Sequence, residues 1–152
     1  MGLIGSGVAA GAVATLPMTL VIVAARQLGL FRTPPPEQIA KNAAKKAGAG
    51  DLTGEPAFGP IWLALHVGFD AACGVGYQLL RPGLPKSPLA GGAAYGLFVW
   101  AVNYLGLMPM LGLFPRPRQA GARRTVVMIV AHVVYGAGVA LLTPEDHGAR
   151  RR

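Results

Sequence analysis

His66 and Asp70 stand four residues apart in a stretch that is otherwise apolar, and Asn103 and His132 lie in two further apolar stretches. A spacing of four puts His66 and Asp70 on one face of a helix, where an imidazole and a carboxyl can share a proton. Three kinds of chemistry use such groups. Asp70 and His66 could titrate as a pair, with Asn103 and His132 completing a hydrated relay for protons or a small solute. His66 and His132, on different helices, could be the axial ligands of haem b, with Arg123 and Arg124 reaching its propionates. His66, Asp70 and His132 also make up a two-histidine, one-carboxylate donor set for another metal. A fourth reading has no chemistry: hydrogen bonds among these side chains act as glue between helices, worth about 0.6–2 kcal/mol each. Ser6 and Ser87 have no neighbouring histidine in a nucleophile motif, so no enzymatic machinery is visible. No cofactor is expected, haem b being the alternative.

The surroundings make these residues conspicuous. The chain has 152 residues, 53% of them hydrophobic and 13% charged, where an average soluble domain is about a quarter charged. Its apolar residues fall into four runs, 3–25, 60–80, 88–110 and 125–143, and all the lysines and arginines lie outside them. A hydrocarbon core about 30 Å thick takes roughly 20 helical residues, so each run is long enough to cross it. In lipid the backbone must satisfy itself within each segment, which requires helices. The sequence therefore predicts an all-α, multi-pass membrane protein: a single domain over 1–152 folded as a bundle of four transmembrane helices. One cysteine excludes a disulfide framework or a zinc site of several thiolates.

Within such a bundle, polar groups that face lipid are costly, so His66, Asp70, Asn103 and His132 should face inward. Counted from the ends of their runs, the four lie within about 6 Å of a common depth. One interior site made from all four is the expectation. Gly7 with Gly11, and Gly92 with Gly96, have the spacing that lets helices approach closely, inside the bundle or between protomers of a homo-oligomer or larger membrane complex. Trp62 reads as an interfacial anchor, Trp100 as a core or lipid-facing ring, and Cys73 as a small buried hydrophobe.

The first loop holds the one sizeable polar stretch. Its prolines, Pro34 to Pro36, precede a predicted short helix over 37–47, with Glu37 in the first turn and Lys45 and Lys46 in the last. This helix is expected to rest on the membrane surface, where Lys41, Lys45 and Lys46, together with Arg123 and Arg124, meet anionic lipid headgroups. The net charge of +8 flanks membrane spans, so lipid rather than nucleic acid is the expected partner. Loops 26–59 and 111–124 carry nine basic residues against five on the opposite side, which places those loops in the cytoplasm. A polar tail, 144–152, follows the last span.

Two segments repeat. Leu28-Gly29-Leu30-Phe31, then Arg32 and prolines, recurs as Leu111-Gly112-Leu113-Phe114, then Pro115, Arg116 and Pro117. Each follows a Gly-rich span and precedes a span with a histidine ahead of an aromatic: His66 to Phe69 and His132 to Tyr135. Two parallel helix-hairpin repeats, related by an axis along the membrane normal, would produce this order.

The stretches Pro34 to Glu37, His66 to Tyr77, Trp100 to Pro109 and His132 to Gly136 together resemble the YagU-like family of small bacterial inner-membrane proteins. The resemblance implies a bacterial plasma-membrane protein and brings neither an activity nor catalytic residues.

Overall fold

The computed structural model describes residues 2–143, all of whose regular elements are helical. The expected polar tail, 144–152, lies outside the described residues. Four helices are long and apolar enough to cross a membrane, as the composition predicts. The first is α1 (Leu3–Gln27) and the second α3 (Phe58–Leu80). The third span, Pro88–Met110, comprises α4 (Pro88–Ala101), a π-helical turn (Val102–Leu107) and the short α5 (Met108–Met110). The fourth is α7 (Ala122–Leu142). Between the first two spans lies α2 (Pro35–Lys46), and a short α6 (Pro117–Ala120) precedes the last. The outward faces are apolar and exposed, with Ile4, Leu16, Leu20, Leu79 and Leu141 among them. This is what helices bathed in lipid present.

Small residues bring the spans together. Gly74 of α3 lies against the Gly7 carbonyl and the Gly11 backbone of α1, so closely that a Cβ on Gly74 would overlap them. Gly136 of α7 lies in the same way against the Gly92 carbonyl and the Gly96 backbone of α4. Each hairpin is thus knit by one crossing of three glycines. The Gly7/Gly11 and Gly92/Gly96 pairs are therefore engaged within the chain and are not held in reserve for a second protomer.

The Leu-Gly-Leu-Phe segments are helix stops. Gly29 and Gly112 have φ of 72° and 61°, in the left-handed region that glycine enters without steric penalty. Leu30 N–H donates to Ala25 O at 3.0 Å, and Leu113 N–H to Met108 O at 2.9 Å, closing the six-to-one bond of a Schellman cap in both places. The phenylalanines that follow, Phe31 and Phe114, are buried. Between them sits the Arg124 guanidinium, whose carbon is 5.8 Å from the Phe31 ring centroid and 5.7 Å from that of Phe114. Arg124 also donates to Gln38 Oε1 of α2 at 3.2 Å. One arginine thereby ties both helix stops to the loop helix.

The four spans do not pack evenly. α1 runs closely along both α3 and α7, and α4 along α7. The seam between α3 and the third span is looser, bridged by Tyr95, whose hydroxyl donates to Cys73 O at 2.5 Å. The π turn falls beside that seam. Pro109 has no N–H and its ring crowds the carbonyl four residues back, which disfavours an ordinary α-turn there. The widened turn accommodates it, where the sequence alone predicts an unbroken helix.

Candidate functional site

Beside the loose seam lies a cavity of about 200 Å³, and His66, Asp70, Asn103 and His132 all line it. Three elements carry them: α3 holds His66 and Asp70 one turn apart, the π turn holds Asn103, and α7 holds His132. Asp70 is 4% exposed, Asn103 6% and His132 6%, so none of these three reaches the lipid-facing surface. The walls are otherwise apolar. Trp62, Phe69 and Tyr104 contribute rings, and Met18, Met108 and Met128 contribute thioethers. Pro36, Ile39, Ala40 and Ala43 of α2 cover the loop-side end.

The polar atoms in this cavity are incompletely paired. His66 Nε2 and Asp70 Oδ2 are 3.7 Å apart, beyond hydrogen-bond distance. Both atoms, and Asn103 Oδ1, are buried without a hydrogen-bond partner. The Asn103 amide nitrogen donates to Val99 O at 2.9 Å, which turns the amide oxygen away from the helix backbone. His132 Nδ1 lies 2.7 Å from Met128 O. A carbonyl only accepts, so Nδ1 carries the proton there and, in the neutral ring, Nε2 keeps its lone pair. The Tyr104 ring meets the His132 ring edge to face at 5.6 Å and the Phe114 ring at 5.3 Å. A line of aromatic contacts therefore runs from the cavity to the Arg124 clamp.

Two tyrosine hydroxyls hold α3 to the C-terminal hairpin. Besides Tyr95, Tyr135 of α7 donates to the Asp70 backbone carbonyl at 2.5 Å. A second cavity of about 380 Å³ adjoins the first, sharing Pro36, Trp62 and His66 with it. Thr19, Arg26 and Gln27 line its loop-side part. His66 and Trp62, with ring centroids 6.3 Å apart, thus stand between a space reaching the loop face and the deeper site.

The other sequence-derived candidates separate. Lys41 pairs with Glu37 at 2.6 Å. Lys46 donates to Leu111 O at 2.6 Å, and Asn42 donates to Leu113 O at 2.8 Å, so α2 is strapped to the second helix stop. Lys45 and Arg123 are exposed, whereas Arg124 is half-buried in its clamp. The helix expected to rest on the membrane surface is thus a cover, with one face given to protein. His66, Asp70 and His132 share the cavity without forming a metal set, since no group of three His, Cys, Asp or Glu among the described residues could hold an ion.

Residue type and depth pointed to the four polar groups, but not to the aromatic walls. Trp62, expected as an interfacial anchor, lines both cavities. Tyr104 was legible only as the neighbour of Asn103. The α2 face was visible in principle, because 36, 39, 40 and 43 have the spacing of one helical stripe.

No curated protein and no solved structure matches the chain. Nothing in these comparisons supports the YagU-like resemblance. Residues 1–146 match the model of a family of unknown function, and on that extent of agreement the chain belongs to the DUF6789 family.

Proposed function

We propose that this is a small multi-pass protein of a bacterial plasma membrane that binds a small solute in its interior cavity and handles a proton there. Asp70 and His66 are the exchanging pair, with Asn103 and His132 as orienting groups. The observation that carries this reading is the set of buried, unpartnered atoms, His66 Nε2, Asp70 Oδ2 and Asn103 Oδ1, around an otherwise apolar space. Helix glue predicts the reverse. Groups retained to hold helices together hydrogen-bond one another, because an unpaired buried polar atom costs about 1–3 kcal/mol. Here the hydrogen bonds between spans come instead from tyrosine hydroxyls to backbone carbonyls and from Gln78 to the Ser6 hydroxyl, away from this cluster.

Loops 26–59 and 111–124 face the cytoplasm in this reading. Lys45 and Arg123, both exposed, lie on anionic headgroups. The two hairpins are copies of one ancestral hairpin, a view supported by the matching glycine crossings and Schellman caps.

The test is chemical. Dicyclohexylcarbodiimide, a lipid-soluble reagent for carboxyls, should modify Asp70 in the membrane-embedded protein, as read by mass spectrometry of the spanning peptide. A sealed, purely structural Asp70 would stay unmodified under conditions that label exposed carboxyls, and that result would reject the proposal.

A further inference from the structure

Resting on the reading of this cavity as a binding site, we infer that its ligand is a lipid-borne amine: a cation with a ring-sized apolar body that reaches the site from the bilayer. The hydrogen-bonding sense of the site comes first. Asp70 Oδ2 and Asn103 Oδ1 are buried acceptors without partners. With Nδ1 committed to Met128 O, a neutral His132 offers Nε2 as a third acceptor. A site rich in acceptors selects a ligand rich in donors, and an ammonium group carries several N–H bonds and accepts nothing.

Charge points the same way. The residues around the cavity include one carboxyl, Asp70, and no lysine or arginine. A buried carboxylate is tolerated when a cation is paired with it. His66 is the nearest candidate within the chain, yet its Nε2 stands off Asp70 Oδ2 by 3.7 Å. Trp62, Phe69 and Tyr104 in the walls add ring faces of the kind that attract cations, more strongly once water is excluded. An anion of equal size would meet the Asp70 carboxylate and no lysine or arginine.

Access and size define the apolar part. Leu65 and Phe69 line the cavity and are also 61% and 43% exposed on the outer surface of α3. The site therefore opens sideways at the seam with the third span, at a level flanked by lipid-facing side chains. A solute using that opening must first partition into hydrocarbon. About 200 Å³ slightly exceeds the roughly 150 Å³ of an apolar cavity that accepts benzene, so one ring with a short aminoalkyl arm fits.

The experiment uses the full chain in nanodiscs and three probes with one body: 2-phenylethylamine, 2-phenylethanol and phenylacetate. Calorimetric titration should show saturable binding of the amine, at least tenfold weaker binding of the alcohol and none of the acid. Asp70→Asn should weaken amine binding by at least tenfold while leaving helix content and elution volume unchanged. Should that variant not fold, protection of Asp70 from dicyclohexylcarbodiimide by the amine in the unaltered chain replaces it, with a tenfold slower labelling rate expected. Phenylacetate or phenylethanol binding as tightly as the amine overturns the inference, as does amine binding that Asp70→Asn leaves intact. Labelling of Asp70 without amine binding or protection rejects the amine alone and leaves the binding site standing. The absence of both labelling and amine binding rejects the two together.

Discussion

The N-terminal hairpin of α1 and α3 and the C-terminal hairpin of α4 and α7 share a crossing but not an interior. In the first, Gly11 packs on the Asp70 carbonyl; in the second, Gly96 packs on the His132 carbonyl. The packing register therefore makes Asp70 the counterpart of His132, where the sequence repeat suggests His66 as that counterpart. At one equivalent place the first hairpin carries an acid and the second an imidazole, and both line the same cavity. The loop ends differ as well. The first hairpin carries α2, which covers the cavity, whereas the second has the short α6. Close backbone contacts tolerate no side chain, so they hold the crossing constant. Asp70 and His132 enter the contact only through their carbonyls, so their side chains are free to diverge, and the candidate chemistry lies there.

If the crossings are equivalent, breaking either should do equal and large damage. Gly74→Ala and Gly136→Ala each force a methyl group into backbone of the partner helix, and each should destabilise by about 1–3 kcal/mol. Gly68→Ala is the control, since nothing lies within 4 Å of its would-be Cβ; it should be neutral or slightly stabilising, because alanine favours helix over glycine. Thermal unfolding in detergent reads all three. Tolerance of one crossing variant and not the other would end the equivalence.

The clamp that joins the hairpins should come next. Arg124→Ala removes two ring contacts and the bond to Gln38, a loss of about 1–2 kcal/mol. Arg123→Ala, at an exposed neighbour, should stay within about 0.5 kcal/mol of the parent. Equal effects of the two in the same unfolding assay would show that Arg124 does not join the helix stops.

The cover on the first hairpin is a smaller target. Asn42→Ala removes one hydrogen bond to Leu113 O, worth about 1 kcal/mol. Amide exchange in α2 should rise about fivefold while exchange in α1 and α7 stays constant. A uniform rise would mean that α2 is part of the bundle's cooperative unit and not a separable cover. The smallest effect should come from the tethers that hold α3 to the C-terminal hairpin: Tyr95→Phe and Tyr135→Phe each remove one interhelical bond, worth about 0.6 kcal/mol. Their use is diagnostic, because either should quicken carbodiimide labelling of Asp70. A slowed reaction would place the opening somewhere other than the α3 seam.

Much of this molecule is written locally. The four spans follow from apolar runs that only a helix can satisfy in lipid. The two helix stops follow from Gly29 and Gly112, which enter a left-handed backbone that other residues avoid. The shared depth of His66, Asp70, Asn103 and His132 follows from a helical rise of about 1.5 Å per residue, and the structure brings these four to one cavity. The rest depends on which helix faces which. The aromatic walls, the burial of Arg124 between Phe31 and Phe114, the cover formed by α2 and the corresponding places of Asp70 and His132 at the two crossings all depend on residues distant in sequence. A chain of glycine, alanine and leucine spans is apolar all round, so periodicity does not mark an inner face. The few polar and small residues mark the inward side. The meeting of backbones at Gly74 and Gly136 decides which spans face each other and in what register, and that contact exists only once the tertiary structure has formed.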